Sequence, residues 1–274
     1  VSGKAGAERT GPLTGPGLAA AARTDRGPRE GNEDAFVCRP DLGLFAAIDG
    51  MGGQQAGERA AAVARESLLA TSDLLVAIRA ANERIHQMAE SEAALRGMGC
   101  VASAVRVEDT CARIIHVGDT RVYLAGRAGC EQLTRDHTVA AKRQEALGIA
   151  GAAARGISGH NQVTRDIGGK PRKDDEWVDR MQVDLEEGDL LMLCSDGLHG
   201  AVSPADLFAR LRRARKEDMP PEKLADALVD LALENGTRDN VTVVVARYSP
   251  SPKPWWARDV KEFFGKGSPE RTSR

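Results

Sequence analysis

Aromatic side chains are scarce in this 274-residue chain: 3 Trp, 2 Tyr and 5 Phe make up 4% of it. An excess of either charge is also missing. Lys and Arg number 38 against 40 Asp and Glu, a formal net charge of −2, which argues against nucleic acid as a general partner because that binding needs a basic surface. No apolar run approaches the roughly 18 residues of a membrane-spanning helix, so no transmembrane segment is expected. The run from Leu18 to Ala22 is too short for the apolar part of a secretory signal. The cysteines, Cys38, Cys100, Cys111, Cys130 and Cys194, are odd in number and never spaced C-x-x-C. Neither a zinc site nor a disulfide framework fits that pattern, and reduced thiols imply a cytoplasmic setting. What remains is 42% apolar and 28% charged, the balance of a globular chain able to bury its own core.

Residues 1–18, rich in Gly, Ala, Pro and Thr without periodicity, read as a flexible lead. Residues 250–274 read as a Pro-rich linker and an aromatic, basic tail, since the alternate prolines of Ser249-Pro250-Ser251-Pro252-Lys253-Pro254 cannot join a helix or a central strand. No second linker interrupts 19–249, which is read as one domain. Within it, β-rich runs occur at Leu44–Ile48, Val101–Val107, Cys111–Val117, Arg121–Ala125, Leu190–Cys194 and Val241–Arg247. Glu108-Asp109-Thr110 and Gly118-Asp119-Thr120 join consecutive runs at hairpin length, which predicts antiparallel neighbours. Leu74, Ile78, Ala81, Ile85 and Met88 keep helical spacing. A second helix is expected from a Ser203 cap followed by Pro204, and a third from Pro221 to Asn235, stopped by Gly236. Strands in meanders with helices in pairs indicate an α+β fold of packed antiparallel sheets flanked by helices.

Five aspartates stand beside glycine or asparagine at the ends of these runs: Asp34, Asp49, Asp119, Asp196 and Asp239. Any single Asp-Gly is ordinary turn chemistry. The repeated context is less ordinary, because apolar strands run directly into Asp49 and Asp196, while Asp119 and Asp239 immediately precede strands. Aligned strands would gather these carboxylates at one rim. A cluster of carboxylates without His or Cys ligands suits Mg²⁺ or Mn²⁺, and the cations would relieve its repulsion.

The string from Thr24 to Asp34, with Arg29, Glu33 and Asp34, resembles the opening motif of the metal-dependent (PPM, type 2C) protein serine/threonine phosphatases, in particular their bacterial branch. Asp49-Gly50-Met51-Gly52-Gly53, Val117-Gly118-Asp119-Thr120-Arg121, Leu133-Thr134-Arg135-Asp136-His137, Ser195-Asp196-Gly197 and Asp239-Asn240-Val241-Thr242 resemble its later motifs, in order. The resemblance extends from about Ala20 to Tyr248. It implies a four-layer αββα sandwich of two antiparallel sheets between helix pairs. It also implies hydrolysis of phosphoserine and phosphothreonine in proteins, by direct attack of a water that bridges two Mn²⁺ or Mg²⁺ ions.

Carried over residue by residue, the resemblance makes Asp49 the bridge between the two ions, with the Gly50 carbonyl and the Glu33/Asp34 pair on one of them, directly or through waters. Asp196 and Asp239 hold the other, and Arg29 grips the substrate phosphate. Asp119 matches the position that contributes, with Asp196, to a third ion in bacterial relatives; a plain turn residue is the alternative. Phosphoproteins are the implied partners, together with a Ser/Thr kinase that the phosphatase opposes. A phosphatase-like signalling module that binds without turnover is the rival reading, against which Asp49, Asp196, Asp239 and Arg29 speak.

Three positions depart from the family. Gln54 follows Asp-Gly-Met-Gly-Gly where many bacterial members have His. Met51 stands where animal members carry a proposed general acid. Met98-Gly99-Cys100-Val101 replaces Met-Gly-Thr-Thr. Cys100 and Cys194 are read as apolar fillers, and His116 and His137 as structural. Residues 139–173 fall where the family has a flap over its site, with Asn161-Gln162-Val163-Thr164-Arg165 as the strand that follows. The tail carries Trp255, Trp256, Phe263 and Phe264. It is expected to dock on its own domain, with a partner or weak peripheral contact with an anionic membrane as alternatives.

Overall fold

The computed structural model describes residues 7–149, 157–160, 162–172 and 174–250. Its strands are β1 (Ala7–Arg9), β2 (Leu13–Gly15), β3 (Leu18–Asp25), β4 (Asp34–Arg39), β5 (Leu44–Met51), β6 (Gly99–Glu108), β7 (Cys111–Val117), β8 (Arg121–Gly126), β9 (Gly129–Gln132), β10 (Asp179–Asp184), β11 (Leu190–Cys194) and β12 (Val241–Tyr248). The helices are α1 (Gln54–Ala70), α2 (Leu74–Ser91), α3 (Val139–Leu147), α4 (Asp196–His199), α5 (Pro204–Lys216) and α6 (Pro221–Glu234). None is long and apolar enough to cross a membrane.

One sheet runs β1-β3-β12-β11-β8-β9, with β2 also paired to β3; the other runs β10-β7-β6-β5-β4. Every pairing is antiparallel. Alternation along each strand feeds two different cores. Phe45 and Ala47 of β5 meet Leu191 and Leu193 of β11 and Val244 of β12 between the sheets. Ala46 and Ile48 face outward onto Ala60, Ala64 and Leu68 of α1 and Ile78 and Ile85 of α2. Val243 and Val245 face the other way, onto Leu207 and Leu211 of α5 and Leu224 and Leu228 of α6. The result is the expected α+β architecture of four layers, helices outside two sheets. The central strands β5, β11 and β12 are apolar on both faces, and the site carboxylates collect at or just beyond their ends.

Local signals behave as their chemistry requires. Asp73 caps α2, its Oδ1 accepting from the N–H groups of Leu75 and Val76. Ser203 Oγ accepts from the Asp206 N–H at the head of α5, with Pro204 in the first turn. Gly236, at φ +73, follows α6. Cys100 and Cys194 are fully buried in the two outer cores, and burial pushes the Cys194 thiol up to about 12.

Several expectations are corrected. Gly118-Asp119-Thr120 is no hairpin: β7 pairs with β6 and β10, whereas β8 pairs with β11 and β9, so the connection crosses from one sheet to the other. Gly118, at φ +103, makes the turn against Val101, with which a Cβ there would collide. Residues 7–9 and 13–15 of the expected flexible lead are strands, because the edge strand β3 offers them backbone partners, Ala7 opposite Asp25 and Leu13 opposite Ala20. In the flap region Val163 makes a single bridge to Thr138 and no strand, and α3 lies where only a loop was expected. Residues 150–156, 161 and 173 of that region, and the tail beyond Pro250, lie outside the described residues.

Candidate metal and phosphate site

At one end of the sandwich the strands deliver their polar termini into a cleft of about 330 Å³ lined by Arg29, Glu33, Asp49, Gly50, Met51, Asp119, Val163, Asp196, Asp239 and Asn240. Asp49 is the last inward-facing carboxylate of β5, two residues beyond Ala47 of the inter-sheet core. Asp196 opens α4 two residues after β11, and Asp239 lies two residues before β12. Asp119 arrives on the crossing between the sheets, with His199 Nε2 donating to its carbonyl at 3.0 Å. Gly50 is required for its lack of a side chain, since a Cβ would collide with the Gly57 carbonyl.

Electrostatics sets these carboxylates apart from turn residues. Burial, reinforced by Asp34, Asp196, Asp119 and Asp239, raises Asp49 well above the usual carboxylate range. Burial and then Asp196 push Asp119 up to about 7. Asp196 is raised by burial and then by Asp239. Glu33 is raised by burial, with Arg29 opposing. Asp196 Oδ1 is enclosed with no hydrogen-bond partner. Such a group is costly unless something positive answers it. At the rim, Arg29 Nη2 donates to Asp239 Oδ2 at 2.7 Å, and its Nε donates to the Arg238 carbonyl at 3.0 Å.

Glu33 is in the cleft lining itself, whereas Asp34 stands behind that lining, next to Asp49. It sits opposite Asp49 in the β4–β5 register. Its Oδ2 accepts from Ser195 Oγ and Thr242 Oγ1, each at 2.7 Å, which draws it into the gap between the sheets. Desolvation there raises its pKa, opposed by those two hydroxyls.

Two residues carry more than the sequence disclosed. Buried Asn240 donates through Nδ2 to the carbonyls of Arg26 and Gly31, at 2.8 and 2.9 Å, while its Oδ1 accepts from the Glu33 N–H at 2.8 Å. One side chain thereby holds the loop that bears both Arg29 and Glu33. Asn32 continues the lacing, donating to Thr24 Oγ1 and accepting from the Asp34 N–H. Asn240 was visible as part of an Asp-Asn string, but its partners lie more than 200 residues away. His116 and His137 are structural, as expected. His116 bonds Ser103 Oγ and the Arg135 carbonyl, and burial lowers it to about 4; His137 Nδ1 accepts from the Gly118 N–H and steadies the crossing.

Among the described residues no three Asp, Glu, His or Cys side chains converge as a closed ligand set. The carboxylates ring the cleft, with Asp239 bonded to Arg29. The donor chemistry nonetheless fits Mn²⁺ or Mg²⁺. Its ionisable ligands are carboxylates with no thiol or imidazole among them, the Gly50 backbone is within the lining, and Asp196 contributes an orphaned oxygen.

Residues 26–241 match the protein phosphatase 2C family. The chain belongs to that family. It is 32% identical over 237 residues to the serine/threonine protein phosphatase PstP of Mycobacterium tuberculosis, an alignment covering 82% of this chain and 44% of that protein. To the protein phosphatase PhpP of Streptococcus pneumoniae it is 31% identical over 239 residues, covering 79% of this chain and 92% of the relative. The chain thus spans about half the length of PstP and most of PhpP. The crystal structure of the M. tuberculosis serine/threonine phosphatase superposes with a TM-score of 0.76 at 31% identity, over 85% of this chain and 99% of that one. The PstP catalytic domain in complex with 2 manganese ions gives 0.72 at 32% identity, over 84% and 97%. This 2C-family chain therefore shares its sandwich with relatives of bacterial origin.

Proposed function

We propose that the chain is a metal-dependent phosphatase that hydrolyses phosphoserine and phosphothreonine in proteins, in a cytoplasmic setting and in opposition to a Ser/Thr kinase. The observation that carries this reading is the ring of desolvated carboxylates around Asp49, with the orphaned Asp196 Oδ1 and the Arg29 guanidinium at the mouth. The relatives named as serine/threonine phosphatases support it, as does the manganese in one of their structures.

In this reading Asp49 would serve two ions, joined on one side by the Gly50 carbonyl, Glu33 and Asp34, directly or through waters, and on the other by Asp196 and Asp239; Asp119 with Asp196 would contribute to a third. The bound cations would supply positive charge for the phosphoryl oxygens and acidify an attacking water. Arg29 presents a planar, permanently charged fork to the phosphate, and Asn240 keeps that fork in place by holding its loop. The cleft has Met51 where a general-acid imidazole could stand, and no histidine lines it among the described residues, so the proton for the leaving alkoxide would come from water at the bound cations or from another group. The mouth lies at the end of the sandwich, beside Val163 of the flap region, where a phosphorylated side chain can enter.

The test is hydrolysis of para-nitrophenyl phosphate and of a phosphothreonine peptide with Mn²⁺ and with excess chelator. Turnover of both that requires metal and disappears in Asp49→Asn is expected. Undiminished turnover after verified metal removal would refute the assignment.

A further inference from the structure

A cluster of arginines lies away from the cleft, on the outer face of the second sheet beside the head of α2. Arg106 of β6 and Arg113 of β7 stand directly opposite each other in register. Arg180 of β10 pairs with Ile115, one step further along the same face. Like charges placed directly across an antiparallel pair are destabilising, so three arginines in one such patch oppose the fold. They line a groove of about 690 Å³, walled on its other side by Ser72, Leu74 and Leu75 at the head of α2.

Arg106 is the telling member. Only 9% of it is exposed. Its Nη1 and Nη2 donate to the carbonyls of Leu42 and Thr71, at 3.0 and 3.2 Å, and its Nε is enclosed without an acceptor. No acidic side chain among the described residues forms an ion pair with it. Of the carboxylates at the groove, Glu108 pairs with the exposed Arg113 at 2.8 Å, and Asp73 spends its Oδ1 on the first turn of α2. A buried guanidinium answered only by neutral carbonyls, beside two further guanidinium groups, lacks the anion that would offset its desolvation.

We propose that this groove binds a phosphoryl oxyanion. A tetrahedral dianion presents several oxygens at once, which arginines lining one groove from three adjacent strands can share. The source is either free inorganic phosphate or a second phosphorylated residue of a protein substrate; the latter rests on the phosphatase reading above. The groove lies toward the Leu44–Arg106 end of the β5–β6 ladder and the cleft at the Asp49–Val101 end. Five residues of strand separate those levels, about 17 Å along the strand, so a peptide reaching both needs its phosphorylated residues at least about five positions apart.

Inorganic phosphate titrated calorimetrically into the full chain in excess chelator tests the site without the metal-dependent reaction. Wild type and Arg29→Ala should bind alike, and Arg180→Glu should weaken binding about tenfold or more. Arg113→Glu, also exposed, should do the same, so the result does not depend on altering buried Arg106. Absence of binding to wild type, binding lost in Arg29→Ala, or binding unchanged in both glutamate variants would overturn the proposal. With Mn²⁺, a peptide carrying two suitably spaced phosphothreonines should show a lower KM than the singly phosphorylated peptide, an advantage that Arg180→Glu removes while leaving kcat on para-nitrophenyl phosphate unchanged. Phosphate binding without that advantage assigns the groove to the free anion. Phosphate binding with no hydrolysis of any substrate leaves the groove standing and removes the phosphatase reading.

Discussion

Asp119→Asn offers a direct measure of how much repulsion the cleft carboxylates impose on the fold. The Asp119 carboxyl is pushed from 3.8 up to about 7, by burial first and by Asp196 second. A group whose folded pKa lies above its unfolded value favours the native state below the unfolded pKa and loses that contribution as pH rises through the folded one. For Asp119 the loss falls between about pH 4 and pH 7 and amounts to on the order of 4 kcal/mol in full. Asparagine keeps the shape and never ionises. In chelator, Asp119→Asn should therefore gain on wild type by about 2–3 kcal/mol between pH 5 and pH 8, the part of the titration lying in that interval. Buried His116, His137 and His199, whose pKa values are lowered by burial, give the opposite slope below their ordinary range. They are common to both proteins and cancel in the difference. Urea unfolding at the two pH values supplies the comparison. A gap that stays constant or narrows from pH 5 to pH 8 would show that Asp119 is not a repelled, desolvated carboxylate.

Asp49→Asn, Asp196→Asn and Asp239→Asn should each lower Mn²⁺-dependent turnover by about a hundredfold or more with the far-ultraviolet spectrum unchanged; near-normal rates in all three contradict the ligand assignment. Arg29→Ala should raise KM for phosphopeptides by about tenfold while Mn²⁺ affinity, followed by calorimetry, stays within a few-fold, because it removes a phosphate contact and not a metal ligand. Asn240→Asp keeps the acceptor for the Glu33 N–H but faces the Arg26 and Gly31 carbonyls with oxygen instead of N–H. It should cost about 1–3 kcal/mol in urea unfolding and weaken phosphopeptide binding as Arg29→Ala does; unchanged values of both would mean that the loop holds itself.

Much of the site could be read along the chain because its carriers are local. Asp49 lies near the end of an apolar strand, Asp196 two residues after one and Asp239 two residues before one, a one-dimensional pattern that needs no knowledge of the partner strand. Helix caps such as Asp73 and Ser203 are legible for the same reason: the capping oxygen and the N–H it serves are two or three residues apart. The β1 and β2 pairings were not legible. Three-residue strands such as Ala7–Arg9 have no periodicity of their own and exist only because β3 is an edge waiting to be paired.

The sequence by itself determined which residue types could meet a cation, that they stand near strand termini, and that meandering strands with paired helices make packed antiparallel sheets flanked by helices. Only the tertiary structure decided where each carboxylate went. Asp34 and Glu33 are neighbours in the chain, yet Glu33 lines the cleft while Ser195 and Thr242, from distant strands, draw Asp34 into the gap between the sheets. Gly118-Asp119-Thr120 has the length of a hairpin and instead spans two sheets, because β8 finds its partners in β9 and β11. The same holds for Arg106, whose character as a buried charge without a counter-ion comes from helices and strands that close around it. Strand pairing and desolvation are long-range properties. A residue's neighbours in the chain do not specify which distant groups will exclude water from it or supply its hydrogen bonds.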